Sequence, residues 1–261
     1  MIDDLPKDGL LSHLVELRGG LLRALGAMAV LTILFLTPFT GAPLAGEVYS
    51  LLAKPLSEIL SDNDGQLIAV GVVAPFTVQI TTALLAALVL SMPYLWYEIW
   101  RFVAPGLYKN EQRLALPLIV SGTALFYLGM LFAYFMVFRV VFGFIAAVAP
   151  PGMVWTPDIQ EFFSFAVSIF IAFGVAFETP VAVYLLVKTG VVEAETLRQG
   201  RRYVIVGAFV IAAVFTPPDV VSQLLLAIPC WLLFELGLLL APKTKKDDDE
   251  NTTEKSEKQD D

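Results

Sequence analysis

The sequence predicts an all-α integral membrane protein with six transmembrane helices, both termini on one side, and a last pair of helices shorter than the rest. Three observations predict it. Of 261 residues, 57% are hydrophobic and 16% charged, with a mean hydropathy of +0.73, well above the roughly 45–50% apolar share of soluble domains. The apolar residues fall into long runs separated by short polar stretches rich in Pro and Gly, which is the pattern of spanning helices and their connections. Lys and Arg alternate in density from one connection to the next, which sets an orientation.

Residues 1–20 are polar to amphipathic, with Leu10, Leu14 and Leu17 on one helical face, and predict a short helix at the membrane interface. The first span is placed at about 21–39, long enough at 1.5 Å per residue to cross a core of about 30 Å, with Arg23 near its start able to snorkel. Residues 40–75 carry Gly41, Pro43, Pro55 and Pro75, but the apolar residues between Glu47 and Leu60 keep helical spacing, so this connection is structured. The second span, about 76–100, contains Pro93, where a kink is expected, and Glu98, which marks the approach to the headgroups.

Arg101 to Arg113, RFVAPGLYKNEQR, is the polar interruption that follows. The third apolar run extends from Leu114 to about Ala147. That exceeds one crossing, placed at about 114–140, so the helix either tilts or protrudes. Pro150, Pro151 and Gly152 end the run, and the fourth span is placed at about 162–187. The last two spans, about 203–215 and 220–234, are separated by Thr216, Pro217, Pro218 and Asp219, and each is shorter than the hydrocarbon core. Residues 1–242 thus form one membrane domain, and the charged stretch 243–261, which lacks aromatics, is expected to be disordered.

Placing the N-terminal segment, the second and fourth connections and the tail on one side collects fifteen Lys and Arg there, ten without the tail, against Lys54 and Arg139 opposite. The positive-inside rule then puts both termini in the cytoplasm. The net charge of −8, of which residues 243–261 hold −3, gives no part of the chain the basic excess that nucleic-acid binding needs.

Several side chains stand out chemically. Glu111 lies among Arg101, Lys109 and Arg113, after the Pro105-Gly106 turn and beside Phe102 and Tyr108. A carboxylate held there is either a receptor for a cationic peptide or simply the acid that begins the next helix. Glu178, inside the fourth run and followed by Thr179 and Pro180, faces a cavity, a partner or an internal hydrogen bond, because lipid exposure of an acid is costly. Thr216 and Gln223 form a second polar group beside Asp219, equally able to join helices within one chain or between chains. His13 is the only histidine and Cys230 the only cysteine, so no metal set or cofactor site is expected. No hydrolase, metalloprotease or phosphate-loop motif is present. A proton-coupled carrier of small solutes using Glu178 is the competing class, although the two halves carry no persuasive repeat.

Four stretches, SHLVELR at 12–18, FVAPGLYKNE at 102–111, FGVAFETP at 173–180 and FTPPD at 215–219, resemble in order the TatC subunits of the twin-arginine protein translocase, and the likeness covers nearly all of residues 10–240. Gly19-Gly20 departs from it, since family members often carry a base where Gly20 stands. The resemblance implies a non-enzymatic receptor and scaffold in the bacterial inner membrane that exports folded proteins with the proton-motive force. It implies that Glu16 and Glu111 receive the arginine pair of a signal peptide, with Arg18, Phe102 and Tyr108 shaping the site. It further implies self-association, contacts of Glu178, Thr216 and Gln223 with single-span TatA and TatB subunits, and turns built on Pro105, Pro217, Pro218 and Asp219.

Overall fold

The computed structural model describes residues 7–38, 43–61, 65–103, 115–148, 150, 154–215 and 220–241, with backbone alone at 7–17, 102–103, 115, 215 and 222. Among these residues every regular element is a helix, and two isolated β-bridges are the only extended pairings. Among the described residues, five stretches are long and apolar enough to cross a membrane: Arg18–Leu36, Ala74–Arg101, Leu116–Val148, Ile159–Lys188 and Gln223–Leu240. The chain divides into two compact units, Met1–Ala172 and Phe173–Asp261.

In the first unit, α1 (Lys7–Leu36) is one continuous helix of 30 residues, not an interfacial helix followed by a separate span. No proline interrupts it, and Gly19-Gly20 costs only about 1 kcal/mol per glycine in propensity, too little to end a helix with apolar residues on both sides. Helix α2 (Leu44–Ser61) runs through Pro55 and buries Leu52, Leu56 and Leu60 along one face, the amphipathic pattern of a connection held against the protein. Helix α3 (Ala74–Val103) continues past Pro93 without a break. Fully buried Ala83 and Ala87 on α3 leave room for close helix approach, and α3 packs extensively on α1.

The third apolar run is α4 (Ala115–Phe132) and α5 (Phe138–Val148), joined without interruption by a π-helical turn, Ala133–Val137. A π-turn inserts one extra residue and shifts the face that follows it. Beyond it, the Phe138 ring lies 5.0 Å from that of Phe170 and 5.4 Å from that of Phe142, and Phe142 lies 5.5 Å from Phe162. These rings form the aromatic centre of the unit, each pair adding about 0.5–1.5 kcal/mol beyond its buried area. Tyr49 of α2 stacks on Phe163 at 5.1 Å, and burial pushes its phenol above the ordinary tyrosine range.

Helix α6 (Ile159–Phe177) carries the chain into the second unit. There α7 (Thr179–Lys188) begins after a one-residue break at Glu178, α8 (Ala194–Gln199) is a short turn of helix, and α9 (Arg201–Phe215) and α10 (Val220–Leu240) pack on each other and, through α10, on α7. The final run, expected to end at Phe234, is helical to Leu240. Glu235, the reason for stopping it there, is neutralised by Arg201 at 2.8 Å. With 21 residues α10 is about 31 Å long, so of the last two helices only α9, at 15 residues, falls short of the core.

Candidate functional site

The local chemistry of α1 and α3 meets at one polar cluster. Arg23 Nε donates to Glu98 Oε1 at 3.0 Å and Arg23 Nη2 to Glu98 Oε2 at 3.0 Å, a bidentate pair, while the Tyr94 hydroxyl donates to Glu98 Oε1 at 2.8 Å. The Glu98 side chain is 8% exposed and that of Arg23 47%. Planar guanidinium on planar carboxylate is the strongest ion-pair geometry available to side chains. Arg23 is thus bound inside the protein as well as reaching toward the interface.

Gly20 completes the arrangement. A Cβ there would lie 2.9 Å from Glu98 Oε2 and 3.8 Å from Arg23 Nη2. Glu98 therefore lies directly against Gly20, and Arg23, about one turn further along α1, supplies the guanidinium that pairs with it. Sequence reading left Arg23 and Glu98 apart because each was read within its own run. Their equal distance from the basic ends of those runs was the usable signal.

The pair also fixes the register of α1 against α3. Arg23 is level with Glu98, while Phe35 shares a cavity wall with Leu85 and Leu90, so the two helices run antiparallel. Seven residues back from Arg23, about 10 Å along α1, stands Glu16; Arg18 lies between, exposed. Four residues beyond Glu98, about 6 Å along α3, stands Phe102 in the last turn. The same end of the helix pair therefore carries Glu16, Arg18 and Phe102 and leads into the connection that holds Glu111. Tyr108, Glu111 and Pro105 lie outside the described residues, as do Thr216, Pro217, Pro218 and Asp219.

In the second unit, Glu178 is the residue between α6 and α7, with φ −75° and ψ −11°, and Pro180 opens the next helix. Its carbonyl accepts from Ala182 N at 3.0 Å, its amide donates to Val175 O at 3.1 Å, and its Oε2 is shielded from solvent. Gln223 Nε2 donates to Phe209 O at 3.1 Å, tying α10 to α9 within the chain. Gly237 lets α10 approach α7 closely: a Cβ there would meet Pro180 Cα and Val183 Cβ, each at 2.9 Å. Among the described residues no group of three or more His, Cys, Asp and Glu side chains is arranged to hold a metal.

The family model described as Sec-independent protein translocase protein (TatC) matches residues 12–229. The chain is 45% identical over 236 residues to the Sec-independent protein translocase protein TatC of Azotobacter chroococcum mcd 1, covering 90% of each chain. It is 46% identical over 232 residues to the protein of the same name from Escherichia coli (strain K12), covering 89% of this chain and 87% of that one. Among solved structures, the crystal structure of the twin arginine translocase receptor TatC superposes with a TM-score of 0.75 at 35% identity, covering 87% of this chain and 97% of that chain.

Proposed function

The chain belongs to the TatC family of Sec-independent protein translocase proteins, a multi-pass membrane subunit of a protein translocase, and from that premise we propose that it receives signal peptides carrying paired arginines and scaffolds their export. The carrier alternative built on Glu178 gives way to this reading. Glu16 and Glu111 receive the two guanidinium groups, Arg18 tunes the rim, and Phe102 and Tyr108 pack against the peptide. Two forked cations side by side ask for two carboxylates, a demand that two lysines make less strongly.

The observation that carries the reading is the antiparallel register of α1 and α3 locked by Arg23 and Glu98, which sets Glu16 level with the start of the connection bearing Glu111. The distribution of Lys and Arg supports six spans with both termini cytoplasmic, and the family likeness supports a bacterial inner membrane. Residues 1–242 act as one translocase domain ahead of the charged tail at 243–261. Glu178, Thr216 and Gln223 contact single-span TatA and TatB subunits and further copies of the chain, Pro105, Pro217, Pro218 and Asp219 shape the turns, and the proton-motive force drives transport without a cofactor.

The test is site-specific crosslinking from position 111 to a twin-arginine signal peptide, with a twin-lysine peptide as control. The expected result is a crosslink with the first that is at least about tenfold weaker with the second and in a chain carrying Glu16→Gln, as loss of a charge-assisted fork predicts. Equal crosslinking of both peptides would defeat the assignment.

A further inference from the structure

Two cavities of the first unit share a wall. The smaller, about 260 Å³, is lined by Lys54, Pro55, Glu58 and Ile59 of α2, Tyr134 and Phe135 of the π-turn, and Arg139 of α5. The larger, about 650 Å³, is lined almost wholly by apolar side chains, among them Phe35, Leu85, Leu90 and Leu131, and again by Tyr134 and Phe135. The two bases that stand apart from every other Lys and Arg in the distribution along the chain are thus brought to one pocket at the end of an apolar trough.

Depth along α4 and α5 matches this polarity to a bilayer. Arg139 is 24 residues beyond Ala115, about 36 Å along the helix, at the far end of the crossing placed at about 114–140 and inside the apolar stretch Leu116–Val148, where its exposed side chain can snorkel to the headgroups. Leu131 and Tyr127, on the trough, lie about 24 Å and 18 Å along the same axis, among the acyl chains. Lys54 sits outside every candidate span. Glu58 contacts Lys54 only at 3.9 Å, with both side chains more than half exposed. Such a pair is weak, and with Arg139 the pocket keeps an excess positive charge. The Tyr134 hydroxyl is engaged with Leu51 O at 2.8 Å, so its ring serves as the shared wall.

The geometry points to a binding site for one anionic phospholipid, in the leaflet opposite the basic ends of α1 and α3. Its phosphodiester lies between Lys54 and Arg139, and an acyl chain runs from the π-turn along the trough toward Phe35 and Leu85. A cationic mouth over an apolar channel at matching depths is the complement of that amphiphile, and of neither a free anion nor a soluble peptide. The site is independent of the signal-peptide reading, since it shares no residue with it.

The test is native mass spectrometry of the delipidated full-length protein titrated with phosphatidylglycerol, phosphatidylethanolamine and glycerol 3-phosphate. Phosphatidylglycerol is expected to bind one to a chain, unaffected by excess glycerol 3-phosphate. Its affinity is expected to fall about tenfold or more in Lys54→Gln/Arg139→Gln, as the loss of two headgroup-level cations predicts. Leu131→Trp, which fills the trough and leaves both charges, lowers it as well, whereas Lys54→Arg/Arg139→Lys retains it. Both bases are exposed, so the substitutions leave the core intact. Undiminished binding in the double Gln variant, equal binding of phosphatidylethanolamine, or displacement by glycerol 3-phosphate would each overturn the proposal.

Discussion

Glu98 has both oxygens engaged, one shared between Arg23 and Tyr94 and the other taken by Arg23 alone, and its partners differ in what they can do when it is removed. Arg23 is about half exposed and, without Glu98, can swing its head to the interface. Glu98 is almost wholly covered and, without Arg23, keeps a covered carboxylate with Tyr94 as its one remaining named donor. Arg23→Ala should therefore lower the midpoint of thermal unfolding in detergent more than Glu98→Ala does, and Arg23→Ala/Glu98→Leu should recover part of that loss. Equal losses from the two single substitutions would show that the acid is not the dependent partner. At this scale the sequence was least legible. It marked Glu111 and Glu178 by their charge against a polar or apolar background and Glu16 only through the family resemblance, but a salt bridge between residues 75 apart cannot be read from periodicity within either run.

Helices were legible where an unbroken apolar run exceeded a crossing, and their ends were legible where Pro and Gly gathered. Ends set by a charge were misplaced: the run that reached Glu235 continued for another turn and a half, because a tertiary partner, Arg201, removes the cost of the acid. Neither the π-turn at 133–137 nor the break at Glu178 has a signature in hydropathy, since both keep the chain helical and apolar around a local change of hydrogen bonding. Contacts between elements supply a prediction at this level. Gly237→Ala must push α10 away from the backbone at Pro180, and should destabilise the protein by about 1–3 kcal/mol, as overpacking does. Gly207→Ala meets nothing within 4 Å on α9 and should stabilise by up to about 1 kcal/mol through helix propensity alone. Unfolding of both variants in one detergent checks the contrast. A further pair is Gly122→Ala, whose Cβ would fall 2.5 Å from the Trp96 ring and should destabilise, and Gly26→Ala, which meets nothing and should not.

For the molecule as a whole, the bias of ten Lys and Arg against two, tail excluded, predicts that an alkaline phosphatase fused after residue 64 is active outside the cytoplasm and that one fused after residue 243 is inactive. Reversed activities would turn the proposed topology over. Asp64→Lys, combined with two further lysines inserted beside it, should weaken the bias and lower the activity of the first fusion.

The Arg23–Glu98 pair also has a bearing on biogenesis. The first helix is made 75 residues before the acid that neutralises it, and at translation rates of about 5–20 residues per second that interval is several seconds. Throughout it a lone guanidinium near the end of a nascent apolar segment must stay hydrated or be shielded by the insertion machinery. The contact that fixes the register of α1 can therefore form only after the ribosome has delivered α3.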